Sequence, residues 1–228
     1  MILIKAAKNS YRQKGRVKSA KKLALDYYLR SRLGEKGLWS KLYKDGPVGR
    51  RVYDAIVKHV GALSERCGYC QDKIFHPSNS SVDHILPASV YPQFTFIEKN
   101  LVRVCVTCNM LKLAEDFYVA NAVVGSGYMK YAGCWSCYHP RHHLFSDHCE
   151  RLVVQTNTLN FRAYFAKTPE GAVICHKLLS RVSEFEMKAF ANPGVALAVS
   201  KLSAAAHAAG HSPTPAIAKL VRLLIENV

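Results

Sequence analysis

The sequence predicts an α+β fold in which helices flank a small β-rich segment that a zinc ion cross-links. Apolar residues recur at helical spacing near the start of the chain and again from residue 178 onward. Between these stretches, short strand-like pieces lie among two Cys-x-x-Cys pairs. Thiolates at this spacing can both reach one ion, so the pairs predict a structural tetrahedral Zn²⁺ site with four ligands: Cys67, Cys70, Cys105 and Cys108.

We expect three regions. Residues 1–60 form a basic helical region, residues 61–180 contain the zinc-bearing domain with a β extension, and residues 181–228 are helical. No apolar run approaches the roughly 18 residues that a membrane span needs, and the stretch Met1–Lys5 is too short for a signal-peptide core. We therefore expect a cytoplasmic protein without a membrane partner, whose cysteines stay reduced and available as metal ligands.

The first region carries most of the positive charge. Residues 1–51 hold 15 Lys or Arg and 3 Asp or Glu, in a chain with a formal net charge of +16. Such density is typical of proteins that bind nucleic acid. Spacing predicts an amphipathic helix over residues 11–33 and a second helix over 48–63. We expect nucleic-acid phosphate contacts from four lysines of the first helix: Lys14, Lys18, Lys21 and Lys22.

Two alternatives remain for this basic helix. It could present a solvated charged face, or it could pack on the rest of the protein through an apolar stripe. That stripe would consist of Leu23, Leu25, Tyr28 and Leu29.

The middle of the chain places an Asp-His pair on a predicted strand. Residues 81–86 read as a strand that Pro87 ends, 92–99 as a loop, and 108–118 as a helix. Consecutive residues on a strand point to opposite faces. For Asp83 and His84 to serve one site, we therefore expect a twist or bulge in this strand.

These residues stand in the order of a known family. The series of matching residues is Cys67, Cys70, Asp83, His84, Pro87, Asn100, Leu101, Cys105, Cys108, Asn109 and Lys112. It resembles the zinc-bearing HNH endonucleases, which have a ββα-metal, treble-clef-like nuclease core. A weaker likeness to the segment after that core in some bacterial HNH proteins continues through Pro140-Arg141, Asp147-His148 and residues 168–171.

The resemblance implies a role for each matching residue. Asp83 and Asn109 correspond to ligands of a catalytic divalent cation, and His84 to the general base. Asn100 corresponds to a residue that braces the loop across from the base, and Lys112 to a phosphate contact. The family usually has histidine where this chain has Asn109, and asparagine there resembles members that use Mg²⁺ or Mn²⁺ rather than a softer metal. A histidine with a pKa of about 6.5 is largely neutral at pH 7 and can accept a proton from water.

The resemblance therefore implies a DNA endonuclease, and the size and motif order resemble the HNH protein of Septu-type bacterial anti-phage systems, which pairs with an ATPase. Two rival functions remain: a non-catalytic zinc module that binds nucleic acid, and a ribonuclease on the same scaffold. The individual residues also have simpler explanations. His84 could be a core histidine, Asn100 and Asn109 could be cap or turn residues, and Lys112 could be solvated.

A second group of cysteines and histidines follows. A second zinc site there is conceivable, but the spacing lacks a second clean Cys-x-x-Cys pair, so we expect one zinc ion and structural or DNA-facing histidines. Residues 161–174 alternate like strands around a turn at 168–171, and helices are predicted over 178–190, 195–209 and 215–227. The group comprises Cys134, Cys137, His139, His142, His143, His148 and Cys149.

Overall fold

The computed structural model describes residues 2–113, 115–116, 127–129, 132–155 and 160–189. It contains helices and two small antiparallel sheets, which confirms the α+β class. The chain divides into two compact units, Met1–Lys130 and Tyr131–Val228. Within the described residues, none of the helices is both long enough and apolar enough to cross a membrane.

The described part of unit 1 contains four α-helices followed by a ββα arrangement. The predicted helices over 11–33 and 48–63 are present as α2 and α4. The loop between the two strands contains short 3₁₀ turns at Pro92–Phe94 and Glu98–Asn100. The elements are α1 Ile2–Asn9, α2 Lys14–Arg32, α3 Leu38–Lys44, α4 Gly46–Gly61, β1 Ser80–His84, β2 Leu101–Cys105 and α5 Val106–Lys112.

Helix α2 packs on the core of unit 1, as one of the two alternatives above required. The apolar stripe considered there is confirmed for Leu23 and Tyr28, which are partly buried against this core, and wrong for Leu25 and Leu29, which are 47% and 52% exposed. Small side chains allow close approach to the neighbouring helices. The fully buried face of α2 consists of Ala20, Ala24, Tyr27 and Ser31.

The core joins the N-terminal helices to the sheet. The Tyr27 ring meets the Phe96 ring edge-on at a centroid distance of 6.3 Å, and Phe96 and Leu101 belong to the same buried cluster as residues of α1, α2, α3 and α4. The basic region and the cysteine-bearing segment therefore share one core, although the sequence suggested a division near residue 60.

Strands β1 and β2 pair without interruption. Asp83 lies opposite Val102 and His84 lies opposite Leu101 in a continuous antiparallel register. The expected bulge at the Asp-His pair is therefore absent. The two side chains leave opposite faces of a regular strand, and each meets a different set of neighbours.

Helix α5 begins immediately after β2 and is shorter than predicted. It ends at Lys112, and Leu113 has a φ of 51°. A positive φ in a residue with a Cβ is incompatible with continuing a right-handed helix, which accounts for the early end. Residues 114, 117 and 118 of the predicted helix lie outside the described part of the chain.

Unit 2 pairs a β-hairpin with helices. The predicted turn at 168–171 is instead a helix start: the Thr168 hydroxyl accepts a hydrogen bond from the Gly171 amide at 3.2 Å, and Pro169 occupies the first turn. The helix predicted over 178–190 is present, while those over 195–209 and 215–227 lie outside the described residues. The elements are α6 Phe145–His148, β3 Cys149–Gln155, β4 Asn160–Ala166, α7 Pro169–Ile174, a π-helical turn Cys175–Leu179, and α8 Ser180–Ala189.

Candidate metal centre and adjoining site

The four predicted cysteine ligands converge on one point. Their Sγ atoms all lie within 4.8 Å of one another, and the Sγ atoms of Cys70 and Cys105 are 3.7 Å apart. A tetrahedral ion with Zn–S bonds of about 2.3 Å requires sulfur–sulfur separations of about 3.8 Å. Cys67, Cys70 and Cys108 are buried. The cluster can therefore hold a metal ion such as zinc.

Local backbone geometry brings each pair together. At the first pair, the Gln71 amide donates to the Cys67 carbonyl at 3.0 Å, and Gln71 itself has a φ of 61°. The second pair spans the end of β2 and the first turn of α5, where Cys105 is the N-cap and its Sγ accepts a hydrogen bond from the Cys108 amide at 3.4 Å. The Gly68 amide donates to the Arg103 carbonyl at 2.9 Å, which attaches the first turn to β2.

Among the four thiols, Cys105 is the one favoured as a thiolate, whereas hydrogen bonding within the cluster raises the pKa of Cys70 and of Cys108. Hydrogen bonds from the thiols of Cys108, Cys67 and Cys70 lower the pKa of Cys105 far below its ordinary value. A thiolate is the form that binds a metal ion, so this arrangement already favours the ligand state of that sulfur.

The His84 ring is held in a defined orientation at the end of β1. Its Nε2 lies 3.0 Å from the Thr95 carbonyl oxygen, and the Trp39 ring contacts it edge-on at 4.9 Å and 88°. A carbonyl oxygen can only accept, so Nε2 carries the proton and Nδ1 keeps its lone pair. Burial lowers the pKa of His84, against an opposing effect of the Asp83 charge.

Neighbouring side chains contact one of the two carboxylate oxygens of Asp83. The Tyr69 hydroxyl donates to Oδ2 at 2.8 Å and the Lys112 ammonium lies 3.1 Å from the same atom. The other oxygen, Oδ1, makes no hydrogen bond with any residue that the structure describes. The Asp83 side chain is 11% exposed, so it combines a fixed orientation with one available ligand atom.

Lys112 points inward. Its side chain is 1% exposed, and in addition to the Asp83 contact its ammonium donates to the His84 carbonyl at 2.9 Å. The suggestion of a solvated Lys112 is therefore wrong, because the ammonium serves as the buried counter-ion of Asp83. Its predicted phosphate contact stays a prediction.

Asn109 lies one helical turn before Lys112 on α5. Side chains three apart on a helix are neighbours, so the Lys112–Asp83 contact turns this face of α5 towards β1. Asn109 is partly buried, and its side chain makes no hydrogen bond within the described part of the chain. The joint role of Asp83 and Asn109 as cation ligands stays a prediction.

Asn100 is fully buried and ties together the loop after β1. Its Nδ2 donates to the carbonyls of Leu86 and Phe94, both at 3.1 Å, and its Oδ1 accepts from the Leu86 amide at 2.7 Å. These bonds fix the loop that carries the Thr95 carbonyl. The role in catalysis that the resemblance implies for Asn100 stays a prediction.

The lysines predicted to bind phosphate lie on α2. Lys14, Lys18 and Lys22 are exposed and Lys21 is partly buried. Three of them line one surface groove together with Ile4, Ser19 and Leu25. Their positions leave the ammonium groups accessible, and their binding role stays a prediction.

The second cysteine and histidine group is arranged differently. Within the described residues, the four cysteines of unit 1 are the single set of three or more Cys, His, Asp or Glu side chains close enough to share an ion. Cys134 is exposed, while Cys149 lies 3.8 Å from Cys175, a residue outside the predicted group. His139 is buried against Trp135, with ring centroids 4.1 Å apart.

Several residues of the site were not predicted from the sequence. Tyr69 sits inside the first Cys-x-x-Cys pair, so its closeness to the metal ligands was the available signal. Trp39 and the Thr95 carbonyl gave no signal, because their contacts with His84 join distant parts of the chain.

Comparisons of this chain with known protein families, with characterised proteins and with solved structures found no match. Function is therefore inferred from the side chains at the end of β1 and from the resemblance of their sequence pattern to HNH endonucleases.

Proposed function

We propose that this protein is a metal-dependent HNH endonuclease that hydrolyses phosphodiester bonds of DNA. The observation that supports this best is an oriented histidine, His84, next to a carboxylate, Asp83, with one unengaged oxygen. A module that only binds nucleic acid has no use for either feature. Both lie beside a cysteine cluster that fits zinc. Because β1 has no bulge here and ends at His84, a phosphate that reaches both side chains would lie across the end of the strand.

His84 is suited to act as the general base. The Thr95 carbonyl fixes the Nε2–H tautomer, so Nδ1 is the atom that accepts the proton from the attacking water. Because burial lowers the pKa of His84, the ring is neutral and able to accept a proton at pH 7.

Asp83 and Asn109 would hold the catalytic cation, Mg²⁺ or Mn²⁺. When bound, such an ion stabilises the negative charge that develops on the phosphate during hydrolysis. The Tyr69 and Lys112 contacts leave Oδ1 of Asp83 as the oxygen available to the ion. Lys112 also offsets part of the carboxylate charge, so this site should bind the cation weakly.

The remaining parts of the proposal concern binding. The zinc would be structural and hold α5 against β2, and the lysines of α2 would contact the DNA backbone without reading sequence. The resemblance also supports an ATPase partner and a role in anti-phage defence, which we include in the proposal. A ribonuclease on the same scaffold is the second candidate.

The decisive test is His84→Ala assayed on plasmid DNA with Mg²⁺. Cleavage should fall by at least about 10²-fold, the contribution typical of a general base, while DNA affinity and zinc content stay at wild-type values. The control is His76→Ala, since His76 is exposed and, within the described residues, its side chain hydrogen-bonds only to Ser78.

Asp83→Ala and Asn109→Ala should also lose cleavage, and raising Mg²⁺ or Mn²⁺ should restore part of it because each variant keeps one ligand. Equal cleavage by wild type and His84→Ala would overturn the base assignment. Matched DNA and RNA substrates decide between the endonuclease and the ribonuclease.

A further inference from the structure

A row of aromatic rings leads away from His84 along α3 and α4. Trp39 contacts His84 at a centroid distance of 4.9 Å, Tyr53 contacts Trp39 at 5.0 Å, and Tyr43 contacts Tyr53 at 5.1 Å. The guanidinium of Arg50 lies over the Tyr43 ring at 3.9 Å. Each step is in the range of favourable ring contacts.

The row becomes more exposed with distance from His84. Trp39 and Tyr53 pack partly against the core, whereas Tyr43 is 39% exposed and the Arg50 side chain is 49% exposed. Core packing therefore accounts for Trp39 and Tyr53 but does not account for the exposed pair Tyr43 and Arg50.

Arg50 retains its capacity to bind at this surface. It pairs with Asp54 at 3.2 Å in an exposed i,i+4 arrangement, and such pairs are weak in water. The guanidinium lies over the Tyr43 ring and its side chain is half exposed, and planar cations and aromatic rings are the surfaces on which nucleobases stack.

We propose that Tyr43 and Arg50, supported by Tyr53 and Trp39, form a stacking site for an unpaired nucleobase of the strand that binds at His84. The proposal rests on the proposed function in that the phosphate at His84 belongs to nucleic acid. In an intact duplex the base faces are covered by neighbouring pairs. The site therefore selects substrates with unpaired nucleotides near the cut, such as flaps, gaps or single strands.

The test compares two probes that carry the same phosphates. Binding of a single-stranded 12-nucleotide thymidine oligomer and of an abasic oligomer of equal length is measured by fluorescence anisotropy without added divalent cation. Tyr43→Ala should lower affinity for the thymidine oligomer about tenfold, as expected when one base loses its stacking partner. Affinity for the abasic oligomer should stay within twofold, and Tyr43→Phe should bind both as wild type does.

A matched control is available elsewhere in unit 1. Phe75 is 84% exposed with the Lys73 ammonium over its ring at 5.4 Å, but it is not part of the row at His84. Phe75→Ala should bind both probes as wild type does. Melting temperature and zinc content verify that each variant is folded.

Three results would overturn the stacking site. The first is an unchanged affinity of folded Tyr43→Ala for the thymidine oligomer. The second is an equal loss of affinity by Tyr43→Ala for both oligomers. The third is a loss of affinity for the thymidine oligomer in Phe75→Ala that equals the loss in Tyr43→Ala. A uridine oligomer and a duplex of the same length complete the set: stacking predicts similar losses on DNA and RNA single strands and none on the duplex.

The outcome can be separated from that of the endonuclease proposal. If wild type cleaves no nucleic acid but Tyr43→Ala still loses affinity for the base-bearing oligomer, the stacking site holds and the endonuclease assignment fails. If cleavage depends on His84 but Tyr43→Ala loses no more affinity for the thymidine oligomer than for the abasic oligomer, the endonuclease assignment holds and the stacking site fails.

Discussion

The two groups of cysteines in this chain differ in how their sulfur atoms come together. In unit 1, two short backbone turns each supply two sulfurs, and all four lie within 4.8 Å of one another. In unit 2, Cys149 begins β3 and Cys175 begins the π-helical turn after α7, and the Cys175 thiol donates a hydrogen bond to the Cys149 sulfur at 3.8 Å. Paired short-range spacing produces a cluster that can hold a metal ion, whereas this single long-range contact produces two buried thiols.

The difference should appear as two separate sources of stability. Unit 1 places its cluster at the junction of β2 and α5, so metal binding and folding are coupled there. Unit 2 buries Cys137, Cys149 and Cys175 among apolar side chains, so its stability depends on packing.

The largest expected effect is that of Cys108→Ser. Cys108 is fully buried in the cluster, and structural zinc sites contribute roughly 10–16 kcal/mol of apparent binding energy in small domains. That range is comparable to or exceeds the whole stability of a typical domain, about 5–15 kcal/mol. The variant should lose zinc by elemental analysis and lose the cooperative urea unfolding of unit 1.

Cys134→Ser is the control for this experiment, because Cys134 is exposed. It should keep wild-type zinc content and unfolding. Wild-type protein that contains no zinc, or Cys108→Ser that retains a full equivalent, would contradict the assignment of the cluster as a structural zinc site.

An intermediate effect is expected from Gly171→Ala in unit 2. A Cβ at this position would overlap the His148 carbonyl oxygen and come within 3.3 Å of Cys149 Sγ. Overpacking against backbone should cost about 3 kcal/mol, measured as a lower urea midpoint of unit 2. Zinc content should not change.

Gly133→Ala provides the comparison, since a Cβ at Gly133 meets no atom within 4 Å. It should leave the urea midpoint within experimental scatter. If Gly171→Ala released zinc, the stabilities of the two units would not be separate in the way that the cysteine geometry indicates.

The smallest effect concerns thiol reactivity. Hydrogen bonding to Cys149 and burial raise the pKa of Cys175 well above the ordinary thiol range. Because the thiolate is the reactive form, iodoacetamide should label the exposed Cys134 of the native protein and leave Cys175 unlabelled. Mass spectrometry of the native protein checks this, and labelling of Cys175 at the rate of Cys134 would show that unit 2 does not bury it.

Much of the local structure followed from the sequence. The spacing of the cysteine pairs predicted the metal cluster, and helical periodicity predicted α2 and α4. These predictions depend on residues a few positions apart, whose geometry one turn of backbone largely determines. One local prediction failed, because the Thr168 hydroxyl caps the Gly171 amide three residues on and turns a predicted turn into the start of α7. Other predictions failed where a neighbour from elsewhere changed the outcome, as when packing in unit 1 buried Ala20 and Ala24 of α2 and left Leu25 exposed.

The sequence alone thus determined the four cysteines of the cluster that can hold a metal ion, the order of the elements in the ββα arrangement and the position of the Asp-His pair. Only the tertiary structure decided the inward position of Lys112, the tautomer of His84 and the shared core of the basic helices and the sheet. Each of these contacts joins residues far apart in the chain. Burial then makes an unpaired charge or donor costly, so the identity of the distant partner determines where each side chain points.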